Sequence, residues 1–232
     1  MIRYHVLLLL WIMLAFIKPA FALSVDSMVK IAKHDSRGVT FIVQGSDQNR
    51  KIEAECYMVS MDHTGKETLS VCDEKYVIYP PIFDLAAQQK RAIRISNLSE
   101  KNQHQEVALR IFFGELPSPQ QQPGVELLSR LGCWLFFQPS NIVIQVQAHI
   151  SNNQVTIDNQ SNVHLRPISG EIITKDGNID ISEILKQTPR ILAHHQRILP
   201  LPSHIFKQLR HDTIKEIKII LDNGYLLRLP LS

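Results

Sequence analysis

The sequence has few cysteines, few glycines and almost no excess of charge of one sign. Its 232 residues include only three cysteines, and no Cys-x-x-Cys pair suggests zinc binding or dithiol chemistry. The 9 glycines and 12 prolines exclude a collagen-like or linker-like chain. Lys and Arg total 25 against 22 Asp and Glu, without a basic block, so we expect no nucleic-acid partner.

The common catalytic signatures are missing as well. There is no Gly-x-Ser-x-Gly, no Gly-x-x-x-x-Gly-Lys-Ser/Thr and no His-Glu-x-x-His. We therefore expect a protein that is not an enzyme and that needs neither a cofactor nor a metal.

Residues 1–22 have the pattern of a secretory signal peptide. Arg3 lies near the start, an apolar run covers Val6–Ile17, and Ala20-Phe21-Ala22 is a small-x-small ending. An uncleaved membrane anchor is the alternative, but the run is short for a span of about 20 residues and Lys18-Pro19 ends it. We expect cleavage after Ala22, export from the cytoplasm and no stable membrane insertion.

Apolar residues alternate with polar ones through most of the remaining sequence, which is the pattern of half-buried strands. The clearest runs are Ile52–Met58, Leu109–Phe113 and Ile142–Ile150. Helical patterns are confined to Ile181–Lys186 and Ser203–Arg210. Many short strands with polar turns predict an all-β fold, and the length suits two sandwich domains of about 100 residues each. The breaker-rich Pro139-Ser140-Asn141 divides them into residues 23–139 and 140–232.

Export would place the cysteines where disulfides form. Cys56 and Cys72 can join neighbouring strands, which leaves Cys133 unpaired; two buried thiols are the alternative.

Several segments carry a family resemblance through their order along the chain. They are Pro80-Pro81-Ile82-Phe83-Asp84-Leu85, Ile93-Arg94-Ile95, Glu106–Pro117, Trp134-Leu135-Phe136-Phe137-Gln138-Pro139 and, further on, Asn159-Gln-Ser-Asn162-Val-His164-Leu-Arg166. This order resembles the PapD-like periplasmic chaperones of the chaperone–usher pilus pathway, and the last segment is similar to the archaic branch of that family. The resemblance implies two immunoglobulin-like domains in an L or boomerang arrangement.

The resemblance also implies a binding site for pilin-like subunits, which lack the last strand of their own sandwich. The last strand of the first domain would fill that gap by donor-strand complementation. One face of residues 125–137 is the more apolar, and it supplies the predicted donor residues Val125, Leu127, Ser129 and Leu131. The alternative is that this face only covers the core of its own domain.

Members of the family anchor the carboxylate terminus of the subunit with two basic residues between the domains. Lys30 matches the first position, whereas Trp134 occupies the second. Arg130, four residues earlier on the same strand face, is the candidate replacement.

The sequence therefore predicts a periplasmic chaperone of fimbrium biogenesis that caps pilin-like subunits and delivers them to an outer-membrane usher. The alternative is a secreted β-sandwich structural or adhesion subunit without a chaperone role. Such a subunit would lack a strand or carry an N-terminal donor extension. The short distance from Ala22 to the first predicted strand, Ser24–Ile31, favours the chaperone.

Overall fold

The computed structural model describes residues 22–33, 35–98, 103–117, 125–209 and 214–230. These residues form two β-sandwich domains, which confirms the predicted fold class. The predicted signal peptide, apart from Ala22, lies outside the described residues. Among the described residues, no helix has the length and apolar character needed to cross a membrane.

The first sandwich packs a four-stranded sheet, in the order β1-β3-β8-β6, against a six-stranded sheet, in the order β2-β10-β9-β4-β5 with β7 also paired to β4. The strands are β1 (Ser24–Val25), β2 (Val29–Ala32), β3 (Gly38–Gln44), β4 (Arg50–Met61), β5 (Glu67–Val71), β6 (Tyr76–Tyr79), β7 (Ile82–Leu85), β8 (Lys90–Asn97), β9 (Val107–Glu115) and β10 (Arg130–Phe137). The alternation seen in the sequence sets the core, because Leu109, Ile111 and Phe113 of β9 are all fully buried.

The second sandwich packs a three-stranded sheet, β11-β12-β15, against a four-stranded sheet, β14-β13-β16-β17. Its elements are β11 (Val146–Ser151), β12 (Gln154–Asn159), β13 (Pro167–Thr174), β14 (Asn178–Asp180), α1 (Ser182–Lys186), β15 (His195–Pro200), α2 (Ser203–Leu209), β16 (Ile214–Leu221) and β17 (Leu226–Pro230). Both short helices lie where the sequence predicted them. The predicted domain boundary, between residues 139 and 140, falls in the connection from β10 to β11 and stays a prediction.

One predicted strand is shorter than its pattern. The alternating run Ile142–Ile150 forms a strand only from Val146. The backbone N–H groups before Val146 donate to side chains instead of to a neighbouring strand. The N–H of Val143 donates to Oδ1 of Asn162 at 2.8 Å, and the N–H of Gln145 donates to Oγ of Ser161 at 2.9 Å.

The start of the chain crosses from one sheet of the first sandwich to the other. β1 pairs antiparallel with β3, whereas β2 pairs parallel with β10 from Trp134 to Phe137. β2 therefore covers only the second half of β10.

The cysteines stabilise the same sandwich in two different ways. Cys56 and Cys72 form a disulfide, with their Cα atoms 5.4 Å apart, and so join β4 to the end of the edge strand β5. Cys133 is buried, and burial raises the pKa of its thiol to about 11. Cys133 is thus an unreactive thiol of the core.

Residues of the Asn159–Arg166 segment, which carries part of the family resemblance, contact the first sandwich. His164 stacks on Phe136 with ring centroids 3.8 Å apart, and its Nδ1 lies 2.7 Å from the carboxylate of Glu106. Asn162 accepts a bond from the backbone N–H of Glu106 at 2.8 Å and donates to the carbonyl of His104 at 3.0 Å. The polar bonds fix the second sandwich against the residues just before β9, and the ring stacking fixes it against the end of β10.

Candidate functional site

The first half of β10 is an open sheet edge. Arg130 to Cys133 pair with Gly114 to Ile111 of β9 on one flank. On the other flank β2 begins to pair only at Trp134, and within the described part of the chain no other strand pairs with these residues. An unpaired edge of this kind offers backbone donors and acceptors to an added strand.

The predicted donor side chains are exposed ahead of this edge and buried along it. Val125 is 95% exposed and Leu127 is 85% exposed. Leu131 is half-buried and packs against the core of the first sandwich, and Cys133 beyond it is fully buried. The predicted face therefore covers its own core at one end and is free at the other.

Three polar contacts hold the exposed segment against the sandwich. The buried carboxylate of Glu115 accepts a bond from the backbone N–H of Ser129 at 2.9 Å, and the backbone N–H of Glu115 donates to the carbonyl of Ser129 at 2.9 Å. Arg50 forms an ion pair with Glu126. Ser129 is thus a fixed point between Leu131 and the two exposed apolar residues.

Lys30 and Arg130, the predicted carboxylate anchor, are not brought together. Lys30 is the register partner of Leu135, and its Nζ lies 2.7 Å from Asp26 and 4.9 Å from the Phe41 ring centroid, on the core side of the sheet. Arg130 lies on the opposite side, over the Phe112 ring, and pairs with Glu55 at 2.5 Å. Alternation along the strand predicts the sheet face on which Arg130 lies. The face of Lys30 depends on how β2 is aligned with β10, which the sequence does not indicate.

Trp134 occupies the position where the resemblance implies a basic residue, and its ring packs against the guanidinium of Arg110. Its ring stacks on Phe136 with centroids 5.2 Å apart, and the guanidinium of Arg110 lies 3.9 Å from its centroid. Nε and Nη2 of Arg110 donate to the carboxylate of Glu67 at 3.0 and 2.7 Å. Met61, Leu192 and the two aromatic residues form an apolar cluster between the sandwiches.

A second guanidinium reaches this cluster from the second sandwich. Arg190 lies 5.7 Å from the Phe136 ring centroid, and its buried Nε has no hydrogen-bond partner among the described residues. Burial lowers the pKa of Arg190, and the positive charges of Arg166 and Arg110 act in the same direction. Arg190 lies in an irregular segment without a motif, so nothing in the sequence indicates its role.

Comparison with known proteins identifies the family. Residues 23–143 match the family model described as pili and flagellar-assembly chaperone, PapD N-terminal domain. This match covers more than half of the chain, and the chain belongs to the PapD-like family of pilus-assembly chaperones of the chaperone–usher pathway, as the resemblance predicted. No curated protein sequence matches the chain significantly.

Solved structures of fimbrial chaperones share the fold over nearly the whole chain. The class 5 fimbriae chaperone CfaA is 14% identical with a TM-score of 0.68, covering 90% of this chain and 99% of that chain. A chain of the CsuC–CsuE chaperone–tip adhesion subunit pre-assembly complex of Acinetobacter baumannii is 12% identical with a TM-score of 0.64, covering 91% and 99%. The E. coli chaperone DraB is 18% identical with a TM-score of 0.58, covering 91% and 96%.

Proposed function

We propose that this chain is a periplasmic chaperone that captures pilin-like subunits by donor-strand complementation and delivers them to an outer-membrane usher. The observation that carries the proposal is the open edge at Arg130–Cys133, with the exposed apolar residues Val125 and Leu127 just ahead of it. Family membership supports a role in pilus assembly. It also favours a chaperone over an enzyme or a structural subunit.

The capture step follows from the chemistry of a sheet edge. Backbone groups of residues 125–133 would pair with the incomplete sandwich of the subunit, and alternate side chains would fill its apolar groove. Burying an exposed Val or Leu contributes about 1.5–3 kcal/mol each. Ser129 contributes little apolar area, so Val125 and Leu127 carry most of this gain in our proposal, with Leu131 adding its exposed part.

For the subunit's terminal carboxylate, we propose Arg110 and Arg190 as the anchor in place of Lys30 and Arg130. The bonds from Arg110 to Glu67 use Nε and Nη2, so its Nη1 donors remain for a ligand. The buried Nε of Arg190 has no hydrogen-bond partner in the described part of the chain. Lys30 and Arg130 point to opposite sides of the sheet, so one carboxylate would not reach both.

The donor strand is tested by Leu127→Asp, which puts a charge into an apolar groove. Co-expression with a pilin-like subunit, followed by a pull-down on the chaperone, should show loss of capture with the fold intact. Leu128→Asp is the matched control, because it places the same charge on the other face of the segment and should retain capture. Normal capture by Leu127→Asp, or equal loss in both variants, would refute the proposed face.

The anchor is tested by Arg190→Gln against the exposed control Arg228→Gln. A charge-assisted hydrogen bond contributes about 1.5–3 kcal/mol, so Arg190→Gln should weaken subunit binding roughly tenfold or more. A subunit with an amidated C-terminus should bind wild type and Arg190→Gln equally. If amidation leaves binding to the wild type unchanged, the anchor proposal fails while the donor strand is untouched.

A further inference from the structure

A charged side chain is enclosed where the second sandwich meets the first. Arg197, on β15, is only 2% exposed and is the bulkiest of the fully buried side chains in the described ranges. Its Nη2 donates to Sδ of Met61 at 3.2 Å, and its Nε and Nη1 have no hydrogen-bond partner among the described residues. Because a thioether is a weak acceptor, the guanidinium is largely uncompensated.

The hairpin between β4 and β5 covers this guanidinium. A Cβ atom on Gly65 would lie 1.5 Å from Nη1 of Arg197, and the backbone of Gly65 has a φ of +90°. The positive φ favours glycine at this position, and any larger residue would have to displace the guanidinium of Arg197. The N–H of Ile198 donates to the carbonyl of His63 at 3.1 Å, which closes the same contact. The hairpin therefore shields the Arg197 guanidinium from water while this contact is closed.

One carboxylate partly offsets the enclosed charge. Burial lowers the pKa of Arg197, and the negative charge of Asp62 acts in the opposite direction. Asp62 itself is fixed as an anion, because hydrogen bonds from Thr64 and Lys66 lower its pKa to about 2. Asp62 forms no ion pair with Arg197, so the offset is through space only.

We propose that Arg197 promotes local opening between the two sandwiches. Its enclosed guanidinium destabilises the contact between the β4–β5 hairpin and β15. A buried, unpaired charge regains water when the contact opens, whereas an apolar side chain of similar volume would hold it closed. The two sandwiches thus separate locally without unfolding. This inference goes beyond the proposed function and does not depend on it.

The test is hydrogen exchange at the Ile198 amide in the full chain, measured relative to the Ile217 amide inside the second sandwich. Arg197→Met should slow Ile198 exchange about tenfold or more while leaving Ile217 unchanged. Arg228→Met, an exposed arginine of the same sandwich, should change neither amide. Unchanged or faster exchange at Ile198 in Arg197→Met would overturn the proposal.

Asp62→Asn keeps the inference testable even if Arg197→Met does not fold. Asn retains the Oδ1 acceptor of the turn but removes the charge that offsets Arg197, so Ile198 should exchange several-fold faster. Thr64→Ala is the control for loosening of the turn, because it removes a hydroxyl bond to Asp62 and leaves the charge in place. Exchange at Ile198 that is equal in wild type and Asp62→Asn, or equally fast in both variants, would contradict the role of charge.

Discussion

Substitutions at Leu127 and Leu131 of the proposed donor segment should affect subunit binding and the stability of the free protein to different degrees. Leu127 is 85% exposed, so Leu127→Ala should change the free energy of unfolding by less than about 0.5 kcal/mol. Leu131 packs half-buried against the core, so Leu131→Ala should cost about 1–2 kcal/mol, below the range for fully buried leucines. The free protein would therefore be sensitive to Leu131 and insensitive to Leu127.

The proposed function predicts the reverse order for the affinity of the subunit. Leu127 has more apolar area still to bury than Leu131, and loss of about 2 kcal/mol of burial raises Kd about 30-fold. Leu131 is already partly buried, so truncation removes less interaction with the subunit. We expect Leu127→Ala to weaken binding several times more than Leu131→Ala.

Urea unfolding of the free variants and a titration with a pilin-like subunit measure the two effects. Leu98→Ala, at a 66% exposed leucine away from the segment, is the control and should change neither quantity. The reasoning is refuted if Leu127→Ala lowers stability as much as Leu131→Ala does. It is also refuted if Leu127→Ala binds the subunit as tightly as the Leu98→Ala control.

Two further predictions concern stability. The buried Asn159 donates to the carbonyls of Val163, Ile191 and Leu192, so Asn159→Ala should cost about 3 kcal/mol in urea unfolding, whereas exposed Asn178→Ala should cost almost nothing. The Cys56–Cys72 disulfide closes a separation of 16 residues, so its reduction should cost about 3 kcal/mol, and an equal urea midpoint with and without reductant would contradict this.

Local patterns predicted the elements of this fold better than their pairing. Period-two alternation identified β9 and most of β4, where the run Ile52–Met58 lies, because the two faces of a strand are set within the strand itself. The sequence did not indicate that the N-terminal segment crosses from one sheet to the other. Only a few residues separate β1 from β2, so the two read as one strand. The side of Lys30 depended on that crossing.

The candidate site was predictable to the same degree. Alternation in the sequence places Val125, Leu127 and Leu131 on one face of the segment. Their exposed fractions agree with a segment that is free at one end. Arg190 and Arg197 were not predictable, because part of the surroundings of each comes from the other sandwich. Single charged residues in irregular or edge segments are normally on the surface, and only tertiary contacts enclose them.

The half-covered edge of β10 has a consequence for the length of strand that can be added. In the proposed complex, the strand of the subunit would extend along residues 125–133 for roughly 30 Å, at about 3.4 Å per residue, before it meets β2. Because β2 begins to pair at Trp134, it would block further pairing along β10 and would set the same register for the strand of each bound subunit.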